Sequence, residues 1–233
     1  MSLRRPHQHQ SSIQALRDRE LYPSCLDTSG WPIMSAIEGR YTAAEARITL
    51  RPPTHSSAQP TRFKAPPISW LAGTWHVTHA TLPMWKSKRN VKIAYTPLDP
   101  SDVSIAGHET DRLDDLVSYQ SLSGDKVHTV HGLDQASGVG AWDWRGKGLL
   151  KVASSHWEVL GWGDEPDVPE NQWVVTYFAK TLFTPAGVDL YSRQPRRLTE
   201  RTVEDIKRAL MDIEDLKELA SEIFGVEMDE AVR

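Results

Sequence analysis

The sequence predicts an all-β fold: an eight-stranded antiparallel up-and-down β-barrel with a C-terminal α-helix and a flexible N-terminal extension. Three observations predict it. Between Ile68 and Gln194 the chain is a series of short β-type runs, broken by segments rich in Gly, Pro, Asp and Ser. No long helical pattern interrupts the series, which excludes parallel βαβ units and favours an antiparallel meander. After the last run the period changes from two to between three and four, the mark of an amphipathic helix.

The runs are 71–80 "LAGTWHVTHA", 90–96 "NVKIAYT", 114–121 "DDLVSYQS", 126–133 "KVHTVHGL", 139–145 "VGAWDWR", 149–161 "LLKVASSHWEVLG", 171–181 "NQWVVTYFAKT" and 186–193 "AGVDLYSR". Between them lie "TLPMWKSKR", "SLSGDK", "LDQASG", "RGKG", "GDEPDVPE" and "TPAG", each with the Gly, Pro or Asp/Ser chemistry of a turn. Eight sequential antiparallel strands leave two raw edges unless the sheet curls and closes. Eight is also the number at which a closed barrel holds one small ligand. An open sandwich is the other arrangement the pattern allows.

In "TERTVEDIKRALMDIEDLKELASEIFG" the residues Val203, Ile206, Leu210, Ile213, Leu216, Leu219 and Ile223 recur at three and four. Thr202 and Asp205 resemble a capping box, and Gly225 is a plausible stop. A single apolar stripe must pack on the barrel wall or on a partner, a second copy in a homodimer included.

Residues 1–68 read as a largely disordered or loosely docked extension, ending in the Pro/Ser-rich "RPPTHSSAQPTRFKAPP". Short helices fit "ALRDREL" and "SAIEGRYTAAEARITL", the second placed to dock on the barrel. Residues 69–225 form the barrel and its helix, and 226–233 a tail. The net charge is −4, with a modestly basic start and an acidic end. No basic cluster interleaved with aromatics is present, so nucleic acid is excluded as a partner. The single Cys25 cannot close an internal disulfide, which fits a reducing, cytoplasmic setting. No apolar window is long enough for a transmembrane helix, and the N-terminus lacks a secretory h-region.

The order of elements, with Gly73 and Trp75 in "LAGTWHV", resembles the lipocalins and the wider calycin superfamily. The likeness covers 69–225 and is strongest to intracellular lipocalin-like proteins of microbes and fungi, since secretory signal and disulfides are absent. The family's Thr-Asp-Tyr turn signature has no good match. The resemblance implies that Gly73 allows a tight backbone approach, that Trp75 plugs the closed end, and that an Arg from the last strand packs over it. Arg193 is the candidate, with Arg196 and Arg197 as others. It also implies that the first connecting loop overhangs the mouth, making Trp85 a lid residue.

Eight of the nine tryptophans lie between Trp70 and Trp173. Trp142 and Trp144 share a strand face, as do Trp173, Val175 and Tyr177, while Tyr119 occupies a similar strand position. Facing inward, these rings would line a pocket for a planar or terpenoid-like ligand; facing outward, they would support the helix. His76 and His79, like His128 and His131, are three apart and point to opposite faces, so no metal site is expected. His131 could be an inward general base or, by likeness to haem-binding barrels, a proximal ligand; otherwise it is a hydrogen-bonded wall residue. Asp143 and Arg145 alternate with the tryptophans of "AWDWRGKG". Turned inward, Arg145 would anchor an anionic or carbonyl group, although an outward pair avoids burying charge. Asp189 and Tyr191 share a face, either as an acid/base pair inside the barrel or as a rim pair. There is no nucleophile elbow, Cys–His pair or dinucleotide fingerprint, and no cofactor is expected.

The sequence therefore predicts lipocalin-like binding of a hydrophobic, aromatic or isoprenoid, small molecule. Its candidate contacts are Trp85, Tyr119, His131, Trp142, Trp144, Arg145, Trp173 and Tyr177. The alternative is a cofactor-free isomerase or cyclase of secondary metabolism, with Tyr119, His131, Tyr177 or Asp189 moving the proton.

Overall fold

Alternating apolar and polar residues build eight strands in the computed structural model, which describes residues 47–57, 62–99 and 111–229. They are β1 (Gly73–Ala80), β2 (Lys88–Pro97), β3 (Arg112–Ser121), β4 (Val127–Gly138), β5 (Ala141–Gly146), β6 (Ser154–Glu165), β7 (Val168–Phe178) and β8 (Gly187–Ser192). Each pairs antiparallel with the next, and β1 pairs with both β2 and β8, so the sheet closes on itself. The fold is a closed, eight-stranded antiparallel up-and-down barrel, and closure satisfies both edges that the open meander would expose.

One core fills the barrel, from Trp75, Val77, Val91, Ile93, Tyr95 and Leu113 across to Trp157, Val174 and Tyr191. A second lies outside it, where Leu160, Trp173, Val175, Tyr177, Val188 and Leu190 meet the C-terminal helices. The division follows the period of two: on β7, Val174 points in while Trp173, Val175 and Tyr177 point out.

The closed end is built around Trp75. A four-residue helix, α1 (Ile68–Leu71), offers the Leu71 carbonyl to the Trp75 indole N–H at 2.7 Å. The Arg193 guanidinium lies 3.6 Å from the Trp75 ring and donates to the carbonyls of Ala72 and Trp70. Gly73 has φ +99°, and a Cβ there would lie 3.2 Å from Arg193. Arg196 and Arg197 turn elsewhere, to Glu170 and to the Thr78 carbonyl.

Several boundaries differ from the sequence reading, each for a local reason. β4 continues through "LDQAS", and the chain turns instead at Gly140, whose φ of +65° suits a tight reversal. β6 starts at Ser154, because Gly148–Leu150 form a 3₁₀ turn that holds Leu149 in solvent. The C-terminal helix is two: α2 (Glu200–Met211) and α3 (Lys217–Glu222), with a 3₁₀ turn at Glu214–Leu216 between them. The restart puts Glu214, Asp215 and Glu218 in first turns, where the positive end of a helix favours acids. The N-cap of α2 is Thr199, three residues before Thr202, and its hydroxyl accepts from the Thr202 N–H. The chain leaves α3 three residues before Gly225, which lies in a short strand, β9 (Phe224–Gly225), paired to β1.

The helices expected in "ALRDREL" and "SAIEGRYTAAEARITL" lie outside the described residues up to residue 46. From 47 onward the chain is extended and held fast against β6. Arg51 donates from its backbone to the Leu160 carbonyl and from Nε to the Val159 carbonyl, both at 2.8 Å. Its guanidinium pairs with Glu158 at 2.7 Å, both side chains being buried. Gly161 lets this strap pass, since a Cβ there would meet Leu50 at 2.3 Å. The end of the chain is docked as well. β1 bulges at Thr78, whose carbonyl accepts from the Val226 N–H at 2.9 Å, and Asp229 binds Asn90 and Arg89.

Candidate functional site

Because β1 climbs from the plugged end, the loops 81–87, 122–126, 147–153 and 179–186 all lie at the other end of the barrel. Below three of them opens a cavity of about 1090 Å³. Inward positions of successive strands supply its wall: Tyr95 from β2, Asp115 and Tyr119 from β3, Trp144 from β5, Trp157 from β6 and Phe178 from β7.

The wall is an aromatic stack with acids set into it. Tyr95, Trp157 and Trp142 lie nearly parallel in sequence, with centroids 5.4 and 5.8 Å apart. The Trp157 indole donates to Asp134 at 2.8 Å, and the Trp85 indole donates to Asp189 at 2.9 Å. One carboxyl oxygen of each of Asp115, Asp134 and Asp189 has no hydrogen-bond partner. Among the described residues no Lys or Arg pairs with them, so burial dominates their titration. It raises Asp134 and Asp189 to about 7, with the indole donors pulling back slightly. Asp115 is raised well above an ordinary carboxyl, first by burial and then by the charge of Asp134. Burial likewise holds the Tyr95 and Tyr191 phenols well above their ordinary range.

Of the residues singled out from sequence, Trp85, Tyr119, Trp142 and Trp144 face the interior. Trp85 is not an open lid: the 3₁₀ turn Pro83–Ser87 folds it inward, buried, edge-on to Tyr119 at 6.3 Å. Arg145 is exposed and borders the cavity at its mouth, while Asp143 pairs outside the barrel with His156 at 2.7 Å. His131 points outward and bonds Asp114 at 2.7 Å, with Lys147 on the same carboxylate, so it reaches neither a ligand nor a haem inside. Trp173 and Tyr177 pack outside, under the helices, because the outward face of β7 carries the second core. Asp189 is fully buried inside, not at the rim.

Sequence reasoning missed Tyr95, Asp115, Asp134, Trp157 and Phe178. A signal for Asp115 was present, since Asp115, Val117 and Tyr119 alternate and must share a face. Asp134 and Trp157 needed the cross-strand pairing, which places Asp134 opposite Trp144 and Trp157 opposite Trp142. Among the described residues no group of three or more His, Cys, Asp or Glu could hold a metal. The arrangement suits an apolar, flat body against the rings, with a hydrogen-bonding group at Asp115.

No family model matches the chain, and no curated protein matches it either. Among solved structures it is similar to lobster apocrustacyanin A1, at 12% identity over 68% of this chain and 78% of that one, with a TM-score of 0.46. It is also similar to the siderocalin Ex-FABP, described as acting through dual ligand specificities. There the identity is 16% over 70% of this chain and 96% of that one, with a TM-score of 0.43. The barrel is established by its own strand pairing, and neither likeness bears on what it holds.

Proposed function

We propose that this protein binds a hydrophobic small molecule with an aromatic or isoprenoid body inside the barrel. The observation that carries the reading is the cavity of about 1090 Å³ walled by Trp85, Tyr95, Trp144, Trp157 and Phe178. That volume is at the upper end of drug-sized pockets, and apolar walls with few polar groups are what such ligands require. Affinity comes from apolar area removed from water, at about 25 cal/mol per Å². The Asp115 carboxyl, partly unpartnered at the wall, fixes the pose by one hydrogen bond.

Native mass spectrometry of gently purified protein should reveal a co-purifying hydrophobe, and a lipophile panel should quench tryptophan emission. Trp144→Ala should weaken that binding while leaving the plugged end intact. No adduct and no quenching across the panel would sink the reading.

A second reading rests on a different observation. Asp115 and Asp134 interact as neighbouring buried acids, and both are held above the ordinary carboxyl range. Neighbouring acids held partly protonated by burial can hold and hand over a proton, as a cofactor-free isomerase or cyclase acting on an enolisable or polyene substrate requires. Under this reading Asp115→Asn lowers turnover far more than affinity; an equal loss in both returns Asp115 to pure binding.

A further inference from the structure

Three loops border the cavity mouth: 81–87 "TLPMWKS", 147–153 "KGLLKVA" and 179–186 "AKTLFTPA". Each carries large apolar side chains that the fold leaves in water. Leu149 is 102% exposed, Val152 95%, Leu182 89%, Phe183 88% and Met84 48%. Scattered apolar residues on a surface need no explanation, but a cluster on the loop tips around one opening does. The same three loops contain Lys86, Lys147, Lys151 and Lys180, and no Asp or Glu. The neighbouring loop, 122–126, adds Lys126 and one acid, Asp125, which is paired with Arg89. A chain with a net charge of −4 thus sets lysines around an apolar rim, Lys147 paired with Asp114 and Lys151 and Lys180 among the others.

Apolar tips ringed by lysines, on one end of a rigid body, match an anionic lipid surface in both chemistry and geometry. The tips enter the headgroup and acyl boundary, and the lysines stay at headgroup level, drawn by the negative surface potential. A protein partner would also accept Phe183 and Met84, but the lysines that ring them are depleted at protein interfaces and are at home beside anionic headgroups. We infer that the mouth of the barrel docks peripherally on an anionic bilayer, with loops 147–153 and 179–186 as the inserting elements. Docked this way, the cavity faces the lipid and can take up an apolar ligand without passage through water. The inference stands on the rim and is independent of what the cavity holds.

The test is sedimentation of the full chain with two kinds of vesicle, pure phosphatidylcholine and phosphatidylcholine with about one third phosphatidylserine. Binding should be about tenfold or more stronger to the anionic vesicles, and it should fall as salt is added. Lys151→Glu with Lys180→Glu should remove that preference. Leu182→Ser with Phe183→Ser should weaken binding to anionic vesicles about tenfold or more while near-UV circular dichroism stays unchanged, since both side chains lie in solvent. Equal binding to both vesicles, or wild-type binding by the serine variant, overturns the inference. So does concentration-dependent self-association that the same serine variant abolishes without any vesicle binding, because the rim would then be a contact between copies.

Discussion

Asp189 sits mid-way along β8 without solvent contact, one oxygen on the Trp85 indole and the other without a partner. The titratable group that interacts with it is Tyr191, itself an acid, and among the described residues no Lys or Arg pairs with it to offset its charge. Its folded pKa is raised to about 7, above the unfolded value near 4. A group shifted this way contributes stability that is fully present below the unfolded value and lost as pH rises through the folded one. Asp134 behaves alike. His76 and His79, lowered to about 4 by burial and nearby cations, slope the other way between about pH 6.5 and about pH 4. Comparison with Asp189→Asn cancels the histidines. The thermal midpoint of the variant, relative to the wild type, should rise steadily from about pH 4 to about pH 8. A flat difference across that range would mean Asp189 is ionised and paired in solution. At this scale the sequence was half legible. Asp189 and Tyr191 had to share a face, but strand periodicity sets faces only relative to one another. Which face is inside depends on where the helices pack.

Two elements outside the barrel show where local pattern loses to tertiary contact. The strap at 47–57 reads as the end of a helix followed from Arg51 by Pro/Ser linker, yet its Arg51–Glu158 pair is buried and Glu158 also accepts from the Thr54 backbone and hydroxyl. Although burial pushes the Glu158 carboxyl up, Thr54 and Arg51 hold it below its ordinary value. Removing one partner strands the other charge, so Arg51→Ala should cost about 3–5 kcal/mol in urea unfolding at neutral pH. Arg51→Met with Glu158→Leu should recover most of that, because the desolvation cost leaves with the charges. Nothing in "TLRPPTHS" announces this, since the partner lies over a hundred residues away. The C-terminal amphipathic stripe was legible because it is local, but its break between Met211 and Lys217 was not, since the apolar period runs straight through it. Gly73, Trp75 and Arg193 were named for a different reason, as what the resemblance carried by Gly-x-Trp implies, with Arg196 and Arg197 left beside Arg193.

For the whole molecule, strand number could be read from turn chemistry, and closure only indirectly, from the two edges an open sheet would leave, because no local feature tells β1 that β8 will pair with it. The cavity is a consequence of closure: Tyr95, Asp115, Trp144 and Trp157 come from four strands and meet only in the ring. A ligand held there touches the folded barrel and not the unfolded chain, so it should shift unfolding by mass action. At about 100 times its dissociation constant the gain is about 2.7 kcal/mol, readable as a rise in the thermal midpoint. A lipophile that quenches tryptophan without any such rise binds somewhere other than the closed interior.

The stack of Tyr95, Trp157 and Trp142 has one more consequence. Two indoles 5.8 Å apart and 16° from parallel are close enough for their electronic transitions to mix. Their shared excitation depends on the small angle between them, which changes whenever something presses on the cavity wall. The barrel therefore carries an optical gauge of its own, built from Trp157 on the cavity wall and Trp142 packed behind it.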